Sequence, residues 1–356
     1  MSAGELPAPW ANPLLLGQER AEAILLRAWT GGRLPHAWLL RGPRGVGKAT
    51  LAHRFARRLL AGPEHAAAAQ DPGHAIFRMT AHGAHPDLKV LRLAADPKSG
   101  RARRDIPVEE VRAVDEALHA TAARGRERVL IVDAIDDLNR SGANALLKLL
   151  EEPPAGTVLL LVCQRPGLVL PTILSRCAQL ALAPLDAATL DAGLARLAPA
   201  IAPERRQALA AVAHGSLGRA LALEAGGWIE AYGELLGRLR AARSSEAARL
   251  ALPGQLAGVI DRQGFRGAVD LLGLLLRRLA GLAAGRVLAE ELVPGEQDGL
   301  RDLAAGHGLD RWLALWEKLA ALTTRVEALN LDPMVALLQL VQGVCGVDAE
   351  VELAIV

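Results

Sequence analysis

The sequence predicts an α/β domain with a parallel sheet in the first half of the chain and an all-helical second half. Two apolar runs, residues 129–132 and 158–163, alternate with helical patterns, as expected for parallel strands that are covered on both faces. After Pro184 only helical patterns follow. The chain is 51% hydrophobic but only 3% aromatic, so Leu, Ala and Val supply the cores and favour helices.

The elements are predicted in the following order. An apolar run at 36–41 predicts a strand, the glycine-rich residues 42–48 a loop, and the amphipathic residues 49–60 a helix. The runs at 129–132 and 158–163 predict further strands. Residues 186–197 and 203–214 have the pattern of helices in a small lid, and Leu/Ala/Arg-rich helices continue from about residue 228.

Two segments carry more local expectations. Asp332 followed by Pro333 is typical of a helix N-terminus, so a final helix should begin there. The alanine-rich residues 64–70 are expected to form a flexible surface connection. The domain boundaries expected from the whole pattern are 1–184 for the α/β domain, 185–226 for the lid and 227–356 for the helical C-terminal domain.

Composition excludes several classes of protein. The net charge is +2, from 41 Lys and Arg against 39 Asp and Glu, so any contact with nucleic acid must come from a local patch. Three cysteines far apart in sequence suggest neither a disulfide framework nor a structural zinc site, which fits a reducing cytoplasm. The first ten residues do not resemble a secretory signal. No apolar run approaches the ~20 residues that span a bilayer, so no membrane partner is expected.

A phosphate-binding loop is the strongest motif in the sequence. Residues 42–48, GPRGVGK, match the first seven positions of G-x-x-x-x-G-K-[ST], between a predicted strand and a predicted helix. The loop amides and the helix N-terminus favour phosphate oxygens, and Lys48 would reach the β- and γ-phosphates. The predicted nucleotide-binding residues are Gly42, Pro43, Gly45, Val46, Gly47, Lys48, Ala49, Thr50 and Asp133.

The eighth position of this motif is Ala49, so the hydroxyl that normally coordinates Mg²⁺ is missing. Thr50 comes next, but one residue along a helix turns a side chain by about 100°, so we do not expect it to substitute. The case for ATP or ADP binding stands, whereas the case for Mg²⁺ and for efficient hydrolysis is weakened.

The second acidic position leads to the same expectation. The strand at 129–132 ends in Asp133, which would hold the metal through water, but Ala134 stands where an active ATPase carries the glutamate that activates water. Asp136 and Asp137 follow, and the sequence favours a solvated carboxylate pair at the start of a helix over a catalytic role.

Three further segments, in this order behind the phosphate loop, resemble the clamp-loader subunits of bacterial DNA polymerase III, which are AAA+ proteins. They are NALLKLLEEPP at 144–154, LPTILSRC at 170–177 and NLDP at 330–333. With LGQ at 16–18 and LPHA at 34–37, the resemblance is good over about residues 10–225 and loose beyond. It implies an AAA+ nucleotide-fold domain, a helical lid and a helical collar that oligomerises.

Within that family the chain resembles the non-hydrolysing delta prime branch more than the gamma or tau ATPase branch. A gamma-type protein would carry a hydroxyl residue at position 49, glutamate at position 134 and four zinc-binding cysteines between the two nucleotide motifs. The corresponding interval contains His65, His74, His82 and His85. Their irregular spacing favours surface histidines over a zinc site.

The resemblance assigns a specific role to Arg176. It lies in Ser175-Arg176-Cys177, similar to the family motif whose arginine reaches into the ATP site of a neighbouring subunit. A guanidinium presents a fixed fork of donors to a γ-phosphate and stabilises charge that develops during transfer. Arg176 is therefore the predicted catalytic residue, acting in trans; the alternative is a structural ion pair. Cys177 is expected to be a small buried packing residue.

Two other family positions differ from the ATPase pattern. In GSLGRA, residues 215–220, the arginine falls one residue later than in ATPase subunits, so Arg219 is not expected to contact phosphate. At the sensor 1 position, Cys163 and Gln164 replace the small hydroxylic residues of ATPase subunits. Neither position favours hydrolysis.

The resemblance also implies partners: gamma/tau-type ATPase subunits, a delta-type clamp-opening subunit, and through them the sliding clamp and primed DNA. Basic clusters at 98–104 and 124–128 are more simply explained as solvated loops than as DNA contacts. The chain would be a component of the polymerase III holoenzyme, a nucleotidyltransferase complex. The alternatives are an active gamma/tau-type ATPase and an AAA+ remodelling protein unrelated to replication.

Overall fold

A computed structural model describes residues 8–93, 103, 105–119, 127–288, 290–329 and 333–345. Most of the basic cluster at 98–104, part of the one at 124–128, and the predicted N-cap at Asp332 lie outside these residues. The described part divides into two compact units. One comprises Met1–Ala200 with Ala213–Leu221, and the other Ile201–Val212 with Ala222–Val356.

The first unit is an α/β domain. Its strands are β1 (Ala37–Arg41), β2 (Leu88–Arg92), β3 (Arg128–Asp133), β4 (Thr157–Cys163) and β5 (Ala178–Ala181). Its helices are α1 (Glu19–Thr30), α2 (Lys48–Ala61), α3 (Ala75–Ala81), α4 (Val108–His119), α5 (Arg140–Glu151), α6 (Pro171–Leu174) and α7 (Ala187–Leu197). Within the described residues the strands form one parallel sheet in the order β2-β3-β4-β1-β5.

Alternating side chains of the central strands supply a core on each face of this sheet. On one face Leu40 and Ile131 pack with Leu51 and Phe55 of α2. On the other face the preceding and following strand residues pack against α4, α5 and α6. Burial on both faces explains why these strands appear as continuous apolar runs in the sequence. The predicted parallel α/β fold is confirmed.

Two edge strands were not predicted. The strand β2 alternates apolar residues with Lys89 and is half buried, and β5 contains the exposed Gln179. An edge strand has only one neighbour and is less covered, so it tolerates polar residues that a central strand would exclude. The apolar-run criterion therefore finds only the three central strands.

The expected surface connection at 64–70 is wrong in part. Ala66 and Ala69 are buried, and Ala68–Gln70 forms a one-turn 3₁₀ helix. The Gln70 amide donates to the carbonyl of Arg54 at 3.1 Å and its oxygen accepts from the Arg57 guanidinium at 3.2 Å. Alanine is small enough for Ala66 and Ala69 to pack closely, whereas residues 64, 65, 67 and 68 are exposed as expected.

The second unit is all-helical in its described residues, as predicted for the C-terminal half. Its helices are α8 (Pro203–Ala213), α10 (Trp228–Ser244), α11 (Glu246–Ala283), α12 (Glu296–Ala304), α13 (Leu309–Leu329) and α14 (Pro333–Val344). The helix α11 is kinked at Gly264, whose φ is 71°. The helix α9 (Leu217–Ala225) begins in the first unit and ends in the second. The described part contains no helix long and apolar enough to cross a bilayer.

The helices of the predicted lid fall in both compact units. Its first helix, α7, belongs to the α/β unit, whereas α8 belongs almost entirely to the helical unit. Both helices were predicted within a residue or two of their observed ends. The three-region boundaries at 184 and 226 remain a prediction.

Candidate functional site

The phosphate loop lies at the edge of the sheet where the parallel strands end. Arg41, the last residue of β1, is opposite Cys163 of β4, and Asp133 of β3 is opposite Val162. The loop that follows β1 therefore lies beside the carboxyl ends of β3 and β4. Ligands of open parallel α/β sheets bind in this position. The predicted site residues 42–50 and Asp133 are thus brought together.

Every carbonyl of the loop accepts a hydrogen bond. Lys48 Nζ donates to Gly42 O and Pro43 O at 2.7 and 2.6 Å, Ser216 Oγ to Arg44 O at 2.7 Å, Gly218 N to Gly45 O at 3.0 Å, Gln18 Nε2 to Val46 O at 3.1 Å, and Leu51 N to Gly47 O at 2.8 Å. In a trans peptide the N–H points opposite to the C=O. Each amide of residues 44–48 therefore points away from the group that the carbonyl of the same peptide contacts; these amides are the anion-binding cradle that the motif predicts.

Two glycines are required by this geometry. Gly45 has φ of 79°, and a Cβ there would lie 2.4 Å from Ser216 Oγ. Gly42 has φ of 150°, and a Cβ there would lie 2.4 Å from the carbonyl oxygen of Leu182. Any side chain would both strain the backbone and collide with the segment packed behind the loop. The glycine spacing of the motif therefore reflects close packing as well as loop curvature.

Lys48 is buried, and its ammonium group closes the loop into a ring by bridging Gly42 and Pro43. Burial lowers its pKa from 10.5 to about 8, because desolvation disfavours the charged form; the nearby carboxylates of Asp133 and Asp136 oppose that shift. The pKa of Asp133 is raised, chiefly by burial, and the Lys48 charge counteracts this. Lysine and aspartate thus face the same space, as a phosphate and cation site requires.

Residues 49 and 50 follow the cradle into α2. Ala49 packs against the core of this face, and Thr50 is buried. Ala134, at the position of the catalytic glutamate in ATPases, is also buried and apolar. Three positions, 49, 133 and 134, would coordinate metal or activate water in a hydrolysing enzyme. Only Asp133 carries a side chain that can do so.

Asp136 differs from its predicted solvated state. Its side chain is only 1% exposed, and it accepts a hydrogen bond from the Gln164 amide at 2.9 Å, with Arg165 at 3.7 Å. The neighbouring Asp137 carboxylate accepts from Ala134 N at 3.4 Å. Asp136 thus ties the turn after β3 to the end of β4 beside Lys48. The sequence could not show this, because the partner amide is 28 residues away.

Arg176 and the phosphate loop lie at opposite ends of the parallel strands: Arg176 precedes β5, and the loop follows β1. The strand β5 begins two residues later and runs parallel to β1, with Ala178 opposite Trp38. Gly42 follows the far end of β1, so at ~3.3 Å per residue the two positions are roughly 15 to 20 Å apart along the sheet. An arginine side chain cannot span that distance. Arg176 therefore cannot serve the loop of its own chain.

The Arg176 side chain is 37% exposed and has local partners. It pairs with Glu151, the last residue of α5, at 2.7 Å and donates to the Thr172 carbonyl at 3.0 Å. This is the ion pair that the sequence left open as an alternative. Both groups face solvent, and such pairs contribute only ~0–1 kcal/mol. The contact orients the guanidinium but holds it only weakly. Cys177 is buried, as expected.

The histidines of the interval between the two motifs have separate environments. His74 Nδ1 accepts from Ile76 N at the start of α3, the His82 ring is 2.7 Å from the Arg78 carbonyl oxygen, and His85 is buried. The preference for surface histidines is therefore wrong for His85. Within the described residues no group of three His, Cys, Asp or Glu side chains is arranged to hold a metal ion.

Three residues at the loop had no predicted role. Gln18 and Ser216 are buried, and each hydrogen-bonds a loop carbonyl; Gly218 does so through its backbone. Their only sequence signal was membership of the short LGQ and GSLGRA segments. Polar residues that serve the backbone of a distant loop leave no periodic pattern.

Comparisons with known proteins show similarity to subunits of DNA polymerase III. A family described as "DNA polymerase III, delta subunit" matches residues 17–186. DNA polymerase III subunit delta′ of Pseudomonas aeruginosa is 40% identical over 188 residues, which cover 52% of this chain and 55% of that protein. Subunit tau of Escherichia coli is 35% identical over 214 residues, 59% of this chain and 32% of that protein. The chain thus spans about half the length of the delta′ relative and less of the tau relative.

A solved structure of a DNA polymerase III gamma subunit-related protein from Thermotoga maritima aligns with 92% of this chain and 98% of that chain. The identity is 18% and the TM-score 0.41, too low to infer a shared arrangement of domains. The sequence relatives carry the likeness: over about half of its length the chain is similar to DNA polymerase III subunits, delta′ and tau proteins among them.

Proposed function

We propose that this chain is a delta′-type subunit of a DNA polymerase III clamp loader, which scaffolds the assembly and supplies Arg176 to the ATP site of a neighbouring subunit. The observation that carries the proposal is the separation of functions on one sheet. The glycine-rich loop, with alanine at positions 49 and 134, follows the carboxyl end of β1, and the exposed Arg176 precedes the amino end of β5.

The cradle fits a nucleotide. The inward amides of residues 44–48 and the Lys48 ammonium would hold the phosphates of ATP or ADP, and Asp133 would face a cation through water. Hydrolysis needs a cation ligand at position 49 and a base at position 134, and both positions are alanine. A bound nucleotide would therefore not be turned over by this chain.

Arg176 would act on a nucleotide bound by another chain. In the free subunit it is oriented by Glu151 and the Thr172 carbonyl, yet it remains exposed. A γ-phosphate placed against that surface would offer the guanidinium a fixed set of oxygens and developing negative charge. An arginine finger supplied in trans accelerates phosphoryl transfer by about 10³- to 10⁵-fold in well-studied cases. In this role Arg176 belongs to the machinery of the neighbour.

The partners that follow are gamma/tau-type ATPase subunits and a delta-type clamp-opening subunit, with the sliding clamp and primed DNA engaged by the whole assembly. The helical unit would serve as the collar that joins them. The setting is the cytoplasm, and the chain would count as a component of the polymerase III holoenzyme.

Reconstitution of the loader with Arg176→Ala tests the proposal. We expect ATPase and clamp loading by the complex to fall at least tenfold, because the lost charge stabilises the transition state of the neighbour. The matched control is Arg301→Ala, which removes another exposed, ion-paired arginine from the helical unit and should leave activity unchanged. Unchanged loading by the Arg176 variant would refute the trans role.

ATP turnover by the isolated chain distinguishes the main alternative. The similarity to tau keeps an active gamma/tau-type ATPase in consideration. With alanine at positions 49 and 134 we expect no turnover above background. A rate like that of ordinary AAA+ enzymes would favour the ATPase alternative and contradict the proposed role.

A further inference from the structure

The outer side of the phosphate loop is attached to the first turn of α9. We propose that Ser216 and Gly218 couple nucleotide occupancy of the loop to this helix, replacing an arginine-to-phosphate contact by hydrogen bonds to the loop backbone. The inference rests on the proposed nucleotide binding and adds to it the means by which binding would reach the helical part of the chain.

Ser216 uses its one hydroxyl twice. Its oxygen accepts from the Arg219 amide at 3.1 Å, which caps the N-terminus of α9, and its proton is donated to the Arg44 carbonyl at 2.7 Å. The residue is only 2% exposed. A buried hydroxyl without these partners would cost free energy. The cap of the helix and the position of the loop are therefore fixed by the same atom.

Gly218 brings the two backbones into contact. Its amide donates to the Gly45 carbonyl at 3.0 Å. A Cβ at Gly218 would lie 3.0 Å from the Gly45 Cα and 3.3 Å from the Gly45 carbonyl oxygen. Even alanine would press against the loop backbone, which has no flexible end that could move aside. Glycine at this position permits the close approach.

Gln18 holds the next carbonyl from the other side. Its amide nitrogen donates to Val46 O at 3.1 Å and to Ala183 O at 2.9 Å, so one side chain joins the loop to the segment before α7. The carbonyls of residues 44, 45 and 46 are thus all held by groups from outside the loop. Each of these bonds orients the peptide whose amide forms part of the cradle.

Coupling follows from this shared set of peptides. A phosphate that accepts from the amides of residues 44–48 polarises the same peptide groups whose carbonyls accept from Ser216 and Gly218, and hydrogen bonds in such chains strengthen one another. Binding should therefore make α9 harder to open. By linkage, the formed contact between α9 and the loop must strengthen nucleotide binding by the same factor by which the nucleotide strengthens the contact. The helix α9 continues into the second unit, so its first turn is where a signal would pass.

The test compares Ser216→Ala with Ser245→Ala. Ser245 caps α11 by accepting from Ala248 N and has no role at the loop. Affinity for a fluorescent ADP analogue is measured with the full chain, and hydrogen exchange of residues 217–225 is followed with and without ADP. We expect about 3- to 10-fold weaker binding by Ser216→Ala and loss of the ADP-induced protection. Ser245→Ala should bind and respond as the original chain does, and Ser216→Thr should restore both.

Gly218→Ala gives a second test with a distinct prediction. Alanine is a better helix former than glycine by about 1 kcal/mol, so propensity alone predicts a more protected α9. The proposed contact predicts weaker ADP binding and no ADP-induced protection. Gly237→Ala in α10 is the control, because a Cβ there would meet open space. This variant also covers the case in which Ser216→Ala fails to fold.

The outcomes separate the two proposals. No ADP binding by the unaltered chain would refute nucleotide binding and with it the coupling. Two results together would refute the coupling alone. ADP would bind the unaltered chain normally without changing the hydrogen exchange of α9, and Ser216→Ala and Gly218→Ala would bind ADP like their controls. Weakened binding in both loop variants, with protection lost, would support it.

Discussion

At the scale of single residues, the charge of Lys48 is the most sensitive part of the site. Its ammonium is buried against the carbonyls of Gly42 and Pro43, and its pKa is lowered to about 8 because burial outweighs the attraction of Asp133 and Asp136. Lysine is a strongly hydrated point charge, so its pKa responds readily to burial. The Lys48 ammonium therefore loses its proton near pH 8.

This predicts a pH dependence of nucleotide binding. A bound phosphate favours protonated Lys48, so the pKa must be higher in the complex than in the free protein. Below pH 8 Lys48 is mostly protonated in the free protein. Above pH 8 it is mostly neutral, so nucleotide binding must be accompanied by uptake of a proton. We expect the affinity for ADP to be flat from pH 6.5 to 7.5 and to fall by up to about tenfold per pH unit above 8.

Titration of the fluorescent ADP analogue at pH 7, 8, 9 and 9.5 measures this dependence. The control is Lys48→Met, which removes the titrating group and should bind weakly at every pH with little slope. An affinity for the unaltered chain that stays constant up to pH 9.5 would contradict the role assigned to Lys48.

At the scale of elements, the helical unit contains a buried ionic contact that ties three helices together. Glu296 of α12 has 0% exposure and accepts from Tyr232 of α10 at 2.6 Å and from Arg278 of α11 at 2.9 Å. It also accepts from the Leu292 amide at 2.6 Å. Full desolvation makes such a carboxylate costly unless all its partners are present. The contact therefore fixes how α12 packs on α10 and α11.

Glu296→Gln should lower the free energy of unfolding by about 3 kcal/mol, because Arg278 would keep a mostly buried charge without its counter-ion. Asp298→Asn makes the same acid-to-amide change on α12 at an exposed pair and should cost less than about 1 kcal/mol. Urea denaturation of the helical unit, followed by the fluorescence of its tryptophans, gives both values. Equal losses of unfolding free energy in the two variants would show that burial does not increase the contribution of Glu296 to stability.

At the scale of the whole molecule, the phosphate loop and Arg176 are separated by the length of the strands of the sheet. The cradle lies after β1 and Arg176 lies before β5, and because these strands are parallel neighbours the two sites face opposite edges. In the proposed role one chain would bind nucleotide at one end of the strands and contribute Arg176 to a neighbouring subunit at the other.

We expect the isolated chain to be a monomer, because the proposed role assigns Arg176 to the ATP site of a different kind of subunit. Light scattering after gel filtration should give a mass near 37.5 kDa, and a mixed assembly should form only when the ATPase and clamp-opening subunits are added. A homohexamer of the chain alone would instead favour the alternative of an AAA+ remodelling protein.

The sequence by itself determined the central strands, the phosphate loop and the loss of hydrolytic side chains at positions 49 and 134. These features depend on local chemistry: continuous apolar runs, glycine spacing, and the presence or absence of a hydroxyl or carboxylate at one position. Helix limits such as those of α7 and α8 were also predictable, because their periodicity is local.

Tertiary structure alone decided what holds the loop and where its neighbours lie. The hydrogen bonds of Gln18, Ser216 and Gly218 to the loop carbonyls join residues 28 to 173 positions apart, and the buried Asp136 accepts from an amide that directly follows β4. The separation of Arg176 from the loop follows from the parallel pairing of β5 with β1. Such contacts satisfy backbone groups brought together only by folding, so they leave no pattern along the chain.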